Sequence, residues 1–204
     1  MKVHQLEVGN MKNFTYVLED EQTSDAVIVD PSWDLDLVLD IIEKNGLQVK
    51  YIINTHHHFD HTIGNDALAK KTGAKILQHK DSTLKKDATV SEGDKIRFGN
   101  SELTVVHTPG HSKDSMCLVG DSKIFSGDTL FVGNCGRVDL PGGSAKELYH
   151  SLFDTVCRMG DSMILYPGHN YGNSPTSTIG REKKTNFVLQ PRTEKEFTEF
   201  MSSD

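Results

Sequence analysis

Residues 55–61 read Thr-His-His-His-Phe-Asp-His and form the most informative segment of the chain. They follow residues 49–55 (VKYIINT), a short and nearly continuous apolar run that predicts a strand buried on both faces. His56 and His58 are two positions apart, so an extended segment projects both side chains the same way. An aspartate and a further histidine follow where the chain turns into the next predicted helix. Imidazole nitrogens together with a carboxylate oxygen suit Zn²⁺ or Fe²⁺, so this segment predicts a metal site.

Three further predicted strands are each followed by a glycine and then a single histidine or aspartate. The loops are Thr108-Pro-Gly-His111-Ser112, Ser126-Gly-Asp128-Thr129 and Tyr166-Pro-Gly-His169-Asn170. A Gly-His pair after a strand is often only a turn, so each loop alone is a weak signal. Together with the histidine segment, they predict side chains that converge at the carboxyl ends of strands, where layered α/β proteins place their functional groups.

Hydrophobic periodicity and turn residues predict a layered α/β arrangement around these loops. Predicted strands cover residues 14–19, 26–30, 49–55, 74–79, 95–98, 102–107, 115–120, 122–126 and 162–167. Predicted helices cover residues 35–45, 64–73 and 144–159, and one or two short helices are expected within residues 181–204. Gly46, Gly73 and Gly160 are expected to end the three helices, and Ser144 to cap the last one. Because no linker or internal repeat is visible, residues 1–204 are predicted to form a single domain.

The composition excludes several classes of protein. The chain carries 22 Lys plus Arg against 29 Asp plus Glu, and this net charge of −7 argues against a nucleic-acid partner. No stretch approaches the ~18 apolar residues that span a bilayer, and the N-terminal MKVHQLEVGN lacks the pattern of a secretory signal. The three cysteines, residues 117, 135 and 157, have no paired spacing, which favours a reducing compartment. We therefore expect a cytoplasmic protein with no membrane partner.

The sequence resembles the metallo-β-lactamase superfamily and, within it, the branch of glyoxalase II and the persulfide dioxygenases. The similar segments run over nearly the whole chain and include VIVDP, NTHHHFDHTIGN, TPGHS, SGDTLF, CGRVD, YPGHNYG and STIGREKKTN. The resemblance implies a four-layer αββα sandwich of the α/β class, with the metal site at one edge between two β-sheets. Glyoxalase II also has a C-terminal helical domain that grips glutathione, and no counterpart of it is expected in this chain.

The resemblance also implies roles for individual residues. It implies a first metal ion on His56, His58 and His111, a second on Asp60, His61 and His169, and Asp128 as the bridge between the two. The expected ions are two divalent cations, Zn²⁺ by preference and Fe or Mn as alternatives. Asp60 and Asp128 are expected to position a metal-bridging hydroxide, and either can move its proton.

Three activities are compatible with the resemblance. The first is metal-dependent hydrolysis of a thioester or ester of the glyoxalase II type, in which the hydroxide attacks the carbonyl carbon. The second is a persulfide dioxygenase with one non-haem iron on His56, His111 and either His58 or Asp128. The third is a lactonase. A true zinc β-lactamase is disfavoured because that class usually has a cysteine where Asp128 stands, and ribonuclease Z because the chain has no long basic insertion.

Other residues are expected to lie around the ligand set, next to the metals or on the substrate side. Asp30 matches a family position near the metals, where a carboxylate would orient a ligand histidine. Arg137 and Tyr171 match substrate-side positions, and Asp139 is expected to pair with Arg137. The expected partner is a small-molecule substrate, and both a monomer and a homodimer remain open.

The other histidines are interpreted as non-ligands. His57 occupies the variable position of the motif and is expected to face solvent. Structural or surface roles are expected for His4, His79, His107 and His150. Cys135 is interpreted as a small residue of a tight loop, with a reactive thiol as the alternative.

Overall fold

The computed structural model describes residues 1–202 of the chain. Two six-stranded β-sheets pack face to face, and helices cover the outer face of each sheet. The layers run helix, sheet, sheet, helix, so the predicted αββα sandwich is confirmed. None of the helices between residues 1 and 202 combines the length and the apolar character needed to cross a membrane.

The first sheet is formed by the N-terminal part of the chain. Its strands, in spatial order, are β1 (Lys2–Val8), β2 (Asn13–Glu19), β3 (Asp25–Val29), β4 (Gln48–Ile53), β5 (Lys75–His79) and β6 (Ala88–Val90). The first three pair antiparallel, whereas β3 to β6 pair parallel. Their connections contain the helices α1 (Leu35–Asn45), α2 (Phe59–Thr62) and α3 (Asn65–Thr72). The parallel pairing brings the carboxyl ends of β3, β4 and β5 to one edge of the sheet.

The second sheet follows in sequence. Its strands, in spatial order, are β7 (Lys95–Phe98), β8 (Ser101–His107), β9 (Met116–Gly120), β10 (Lys123–Gly127), β11 (Ile164–Pro167) and β12 (Ser177–Thr178). β10 and β11 pair parallel, and the other neighbours pair antiparallel. The outer face is covered by α4 (Ala145–Tyr149), α5 (Ile179–Thr185) and α6 (Glu194–Met201). The carboxyl ends of β10 and β11 therefore also lie side by side.

The main core lies between the two sheets and is apolar. Tyr16, Phe98 and Phe125 are among its largest side chains, and complete burial of a phenylalanine stabilises the fold by about 1.5–3 kcal/mol. Burial also raises the pKa of the Tyr16 hydroxyl well above its usual range. That hydroxyl donates a 2.5 Å hydrogen bond to the carbonyl oxygen of Pro167. The core thus fixes the end of β11, directly before the loop that carries His169.

Several predicted details agree with the structure and one is wrong. Gly46 ends α1 with φ +62°, and the Ser144 hydroxyl caps α4 by accepting a hydrogen bond from a backbone N–H. Residues 144–159 are not one regular α-helix, because α4 ends at Tyr149 and wider π-helical turns cover His150–Thr155 before a 3₁₀ turn. In an α-helix, positions four apart drift by roughly 40° around the axis. The wider turns offset this drift and keep Leu148, Leu152 and Val156 together in the outer core.

Three strands were not predicted from the sequence. β1 lies at the edge of its sheet and has no regular apolar face, whereas β6 and β12 are only three and two residues long. The predicted helix at 64–73 is α3, preceded by the separate single turn α2. The predicted C-terminal helices are α5 and α6, of which α5 begins before residue 181. Residues 203 and 204 lie outside the described part of the chain.

Candidate metal centre

The side chains named by the four sequence segments meet at one edge of the two sheets. They are His56, His58, Asp60 and His61 after β4, His111 after β8, Asp128 after β10 and His169 after β11. Six of them are buried, and His58 is partly exposed. The convergence follows from the topology, because the parallel pairs β3–β4 and β10–β11 end at this edge.

His56, His58 and His111 form a first group of donors. His58 Nδ1 lies 3.1 Å from His56 Nε2 and 2.9 Å from His111 Nε2. One ring nitrogen thus faces two others, an arrangement that a single proton cannot satisfy on both sides. Burial lowers the pKa of His58 to about 4 and holds the pKa of His56 well below its usual range. Both rings are therefore neutral near pH 7, the form that binds metal ions.

Asp60, His61 and His169 form a second group. The two histidine Nε2 atoms are 3.2 Å apart, and each lies 3.4 Å from Asp60 Oδ2. A tetrahedral ion with bonds of about 2.0–2.1 Å holds neighbouring donors roughly 3.3–3.4 Å apart. The spacing of this group therefore fits a four-coordinate ion.

The carboxylate of Asp128 lies between the two groups. Its Oδ1 is 3.3 Å from His61 Nε2, and its Oδ2 is 3.3 Å from His169 Nε2 and 3.5 Å from His111 Nε2. Oδ1 is buried and has no hydrogen-bond partner among the described residues. A buried ionised oxygen in this state is costly unless a cation balances it. Asp128 thus connects both groups into one set of seven donors.

The outer ring nitrogens of four ligand histidines are engaged by the protein. The Nδ1 bonds join His56 to Thr55 Oγ1 (3.1 Å), His61 to Asp30 Oδ2 (3.0 Å), His111 to Arg137 O (2.7 Å) and His169 to Met11 O (2.9 Å). With the proton on Nδ1, each ring directs the lone pair of Nε2 toward the same centre. Lone pairs and carboxylates this close repel one another unless positive charge lies between them. The donors therefore fit bound metal cations.

The electrostatics of the centre favour positive charge. Burial lowers the pKa of His61, but the carboxylates of Asp128 and Asp30 outweigh it and raise the pKa well above its usual range. Burial raises the pKa of Asp60, but the hydrogen bond and charge of His61 outweigh it and lower the pKa to about 2. The pKa of Asp128 is also held well below its usual range, because His61 and His169 outweigh burial. Both carboxylates are therefore ionised at neutral pH.

Asp30 lies beside the centre, directly after β3. Its Oδ1 accepts a hydrogen bond from the Thr55 backbone N–H at 2.7 Å, and its Oδ2 accepts from Thr55 Oγ1 at 2.6 Å and from His61 Nδ1. The residue is buried and adopts a left-handed backbone with φ +50°. Such strain persists only where surrounding contacts impose it, and it clusters at functional sites. Asp30 thus orients His61 and the start of the histidine segment together.

Asn13 and the backbone of Met11 also orient side chains of the donor set, and these two contacts were not predicted from the sequence. Asn13 Nδ2 donates to Asp60 Oδ2 at 2.9 Å and to the Asp60 carbonyl at 3.0 Å. Asn13 is 47 positions from Asp60, and Met11 is 158 positions from His169, so no local pattern connects them. The available signal was the asparagine itself, since asparagine is depleted in strands and here begins β2.

A cavity of about 620 Å³ opens in front of the donors, a volume typical of small-molecule sites. Arg137 and Tyr171, the predicted substrate-side residues, both line it. Arg137 forms the expected ion pair with Asp139, with bonds of 2.6 and 2.5 Å. The Tyr171 ring stacks on His169 at 4.6 Å. Cys135 also lines the cavity, but burial raises the pKa of its thiol to about 12, which favours an inert residue over a reactive one.

Other histidines lie near the centre without joining it. His57, expected to face solvent, is partly exposed and bonds Asp114 through Nδ1 at 2.7 Å. His79 and His107 stack at 4.1 Å with 13° between their rings, and Asp81 lies close to both. Lone pairs of nearly parallel imidazoles do not converge on one point. We therefore assign no metal to this group of three.

Comparisons with known proteins identify the family. The family model of the metallo-β-lactamase superfamily matches residues 8–85 and 77–169. The chain is 33% identical over 177 residues to the mitochondrial persulfide dioxygenase ETHE1 of Mus musculus, covering 85% of this chain and 70% of that relative. It is 36% identical over 191 residues to a hydroxyacylglutathione hydrolase of Polaromonas sp., covering 89% and 72%. The crystal structure of ETHE1 from Myxococcus xanthus superposes with a TM-score of 0.94 at 31% identity, covering 99% of this chain and 90% of that one. The chain belongs to the metallo-β-lactamase superfamily.

Proposed function

We propose that the chain is a dinuclear metallohydrolase that cleaves a thioester or ester bond. The observation that carries this proposal is the position of Asp128, whose carboxylate contacts donors of both groups. A single ion needs three or four protein donors, whereas here seven are linked by successive contacts of 2.9–3.5 Å. The similarity to a hydroxyacylglutathione hydrolase supports the same reaction class.

The ligands divide between two ions in this proposal. The first ion would be held by His56, His58 and His111, the second by Asp60, His61 and His169, and Asp128 would bridge them. Donors of this kind, without thiolate, suit Zn²⁺, Fe²⁺ and Mn²⁺, and Zn²⁺ is the ion we propose. When bound, the ions would polarise the substrate carbonyl and lower the pKa of water toward about 7.

Two carboxylates of the protein would place the attacking water. Asp60 and Asp128 both line the cavity and are both ionised. Asp60 Oδ2 already accepts a hydrogen bond from Asn13, whereas Asp128 Oδ1 accepts none from the described residues. We therefore assign to Asp128 the contact with both ions and to Asp60 and Asp128 together the balancing of cationic charge, and either carboxylate can take the proton of the attacking water.

The surroundings of the centre support a small-molecule substrate. The cavity has the size of a small-ligand site, and Tyr171 stands at its edge with half of its surface exposed. Burial raises the pKa of the Tyr171 hydroxyl, so it is a neutral hydrogen-bond donor toward a substrate. The three cysteines are free thiols, which supports the proposed cytoplasmic location.

A mononuclear iron persulfide dioxygenase is the second candidate. The observation in its favour is the 33% identity to a persulfide dioxygenase, close to the 36% identity to the hydrolase. Its iron would be held by His56, His111 and either His58 or Asp128. His61 and His169 would then have no ligand role, so the two candidates differ in what these two histidines do.

The test measures metal content and two activities in matched variants. Wild-type protein, His61→Ala and His169→Ala are compared with His150→Ala, a histidine that is half exposed and away from the centre. Each protein is assayed by elemental analysis, by hydrolysis of several thioesters and of a lactone, and by oxygen consumption with glutathione persulfide.

The two candidates give opposite results. For the hydrolase, we expect about two zinc ions per chain, and about one in His61→Ala and His169→Ala, with hydrolysis lower by orders of magnitude because an ion is lost. His150→Ala should match the wild type. One iron per chain, and oxygen consumption that persists within roughly tenfold in both variants, would replace the hydrolase by the dioxygenase.

A further inference from the structure

One part of the cavity wall, beside the donors, is apolar. It consists of the side chains of Met11, Phe59, Phe131, Leu140, Pro141 and Tyr171. Three of these are large hydrophobic residues that face solvent, with exposed fractions of 62% for Phe59, 52% for Tyr171 and 41% for Met11. Contiguous exposed apolar surface around a functional cavity marks a site that buries part of a ligand.

The exposed Phe59 is held in place. It begins α2 and lies in sequence between the donors His58 and Asp60. The ring of Trp33 contacts it edge-on, with centroids 6.2 Å apart. Phe59 therefore presents a fixed apolar face at the mouth of the cavity, and fixing it in advance lowers the entropic cost of ligand binding.

The aromatic lining next to His169 is also ordered. Phe131 packs edge-on against Tyr171 at 5.4 Å, and Tyr171 stacks on the donor His169. An apolar group that extends from the donors would thus meet the rings of Phe59, Phe131 and Tyr171, which line the same cavity.

The few charged side chains in the cavity lining also favour a ligand of low charge. Among the described residues that line the cavity, Arg137 is the one lysine or arginine. Its guanidinium is already bound to both oxygens of Asp139. A carrier with several phosphates, such as coenzyme A, would find no unpaired lysine or arginine side chain in this lining.

We propose that the cavity selects thioesters or esters whose acyl group is a long or aromatic apolar chain, attached to a carrier of low charge. This inference rests on the hydrolase function proposed above and adds its substrate class. Phe59 is the specificity-determining residue for the acyl chain, and the Arg137–Asp139 pair disfavours polyanionic carriers.

The first experiment uses an acyl series on one uncharged thiol. Metal-loaded protein is assayed with acetyl, butyryl, hexanoyl and octanoyl thioesters of N-acetylcysteamine. Because each buried methylene contributes a factor of up to about fourfold in kcat/KM, the values should rise by about two- to fourfold per methylene until the wall is covered. Phe59→Ala should flatten this rise, whereas Phe187→Ala, another exposed phenylalanine outside the cavity, should retain it.

The second experiment compares carriers for the same acyl group. Octanoyl coenzyme A should be cleaved at least tenfold less efficiently than octanoyl N-acetylcysteamine, and Asp139→Asn should narrow that ratio by freeing the guanidinium. A flat acyl series, a slope unchanged in Phe59→Ala, or a preference for coenzyme A in the wild type would overturn the inference while leaving the hydrolase function intact. Absence of hydrolysis for every member would overturn the proposed function itself.

Discussion

Gly168, directly before the donor His169, is expected to tolerate no side chain. A Cβ at this position would lie 2.3 Å from Asp128 Oδ1 and 2.9 Å from the carbonyl carbon of Gly127. Ordinary van der Waals contact begins at 3.4 Å, so an alanine must displace the Asp128 carboxylate or its own loop by about 1 Å. A metal constellation tolerates displacements of only about 0.5 Å. The substitution therefore acts on the bridge between the two donor groups.

In Gly168→Ala, we expect metal content to fall below two ions per chain and kcat to fall by about 100-fold or more, the effect of a misplacement near 1 Å. Overpacking should lower the free energy of unfolding by about 1–3 kcal/mol. The backbone of Gly168 lies outside the left-handed region, so none of this loss comes from backbone strain.

Gly160→Ala is the matched control, because its Cβ would meet no atom within 4 Å and its backbone also lies outside the left-handed region. Elemental analysis, thioester hydrolysis and urea unfolding are measured on both variants. Two bound ions together with a rate within twofold of the wild type in Gly168→Ala would refute the reasoning. Equal losses in the Gly160→Ala control would show that the effect is not specific to Asp128.

Three further variants test the surroundings of the centre and the fold. Asn13→Ala removes the hydrogen bonds to Asp60, so metal affinity should fall by about 10–100-fold in a chelator competition; unchanged affinity would show that Asp60 needs no such partner. Asp30→Ala should lower hydrolysis by about 10–100-fold, and an unaltered rate and metal affinity would remove Asp30 from its orienting role. The hydrogen bond from Ser101 lowers the pKa of Asp20 to about 2, so its stabilising contribution is present above pH 4 and is lost as the pH falls toward 2. The difference in unfolding free energy between the wild type and Asp20→Asn should therefore narrow over that range, and a constant difference would contradict this account.

The strands and helices near the centre were predictable because their patterns are local. The apolar run before the histidine segment is β4, and the spacing of apolar residues before Gly46 is α1. β1 was not predicted, because an edge strand that is only partly buried has no apolar face to detect. The π-helical turns were not predicted, because the residues themselves are compatible with a regular helix. Their packing against the outer core after α4 determines the wider turns.

The donor residues were predictable for a different reason. Metal binding demands particular side-chain types at particular strand ends, and these remain visible in the sequence as short motifs. The residues that orient the donors obey no such rule, since a backbone carbonyl of any residue can hold a histidine, as those of Met11 and Arg137 do. The apolar wall of the cavity could not be predicted either, because the sequence does not distinguish an exposed phenylalanine such as Phe59 from a buried apolar residue.

The organisation of the second donor group bears on the choice between the two chemistries. Each of its three members has its own hydrogen-bond partner in the protein, so the entropic cost of orienting the donors is met when the protein folds. The donors are therefore in position before any ion binds. In a protein that used one ion on the first group alone, a proton on His61 Nε2 would form a hydrogen bond to His169 Nε2 at 3.2 Å, because burial is outweighed by the carboxylates of Asp128 and Asp30, which raise the pKa of His61 well above its usual range. The second group therefore carries positive charge in either chemistry, as a proton in a mononuclear dioxygenase or as a metal ion in a dinuclear hydrolase, and metal analysis of His61→Ala and His169→Ala separates the two.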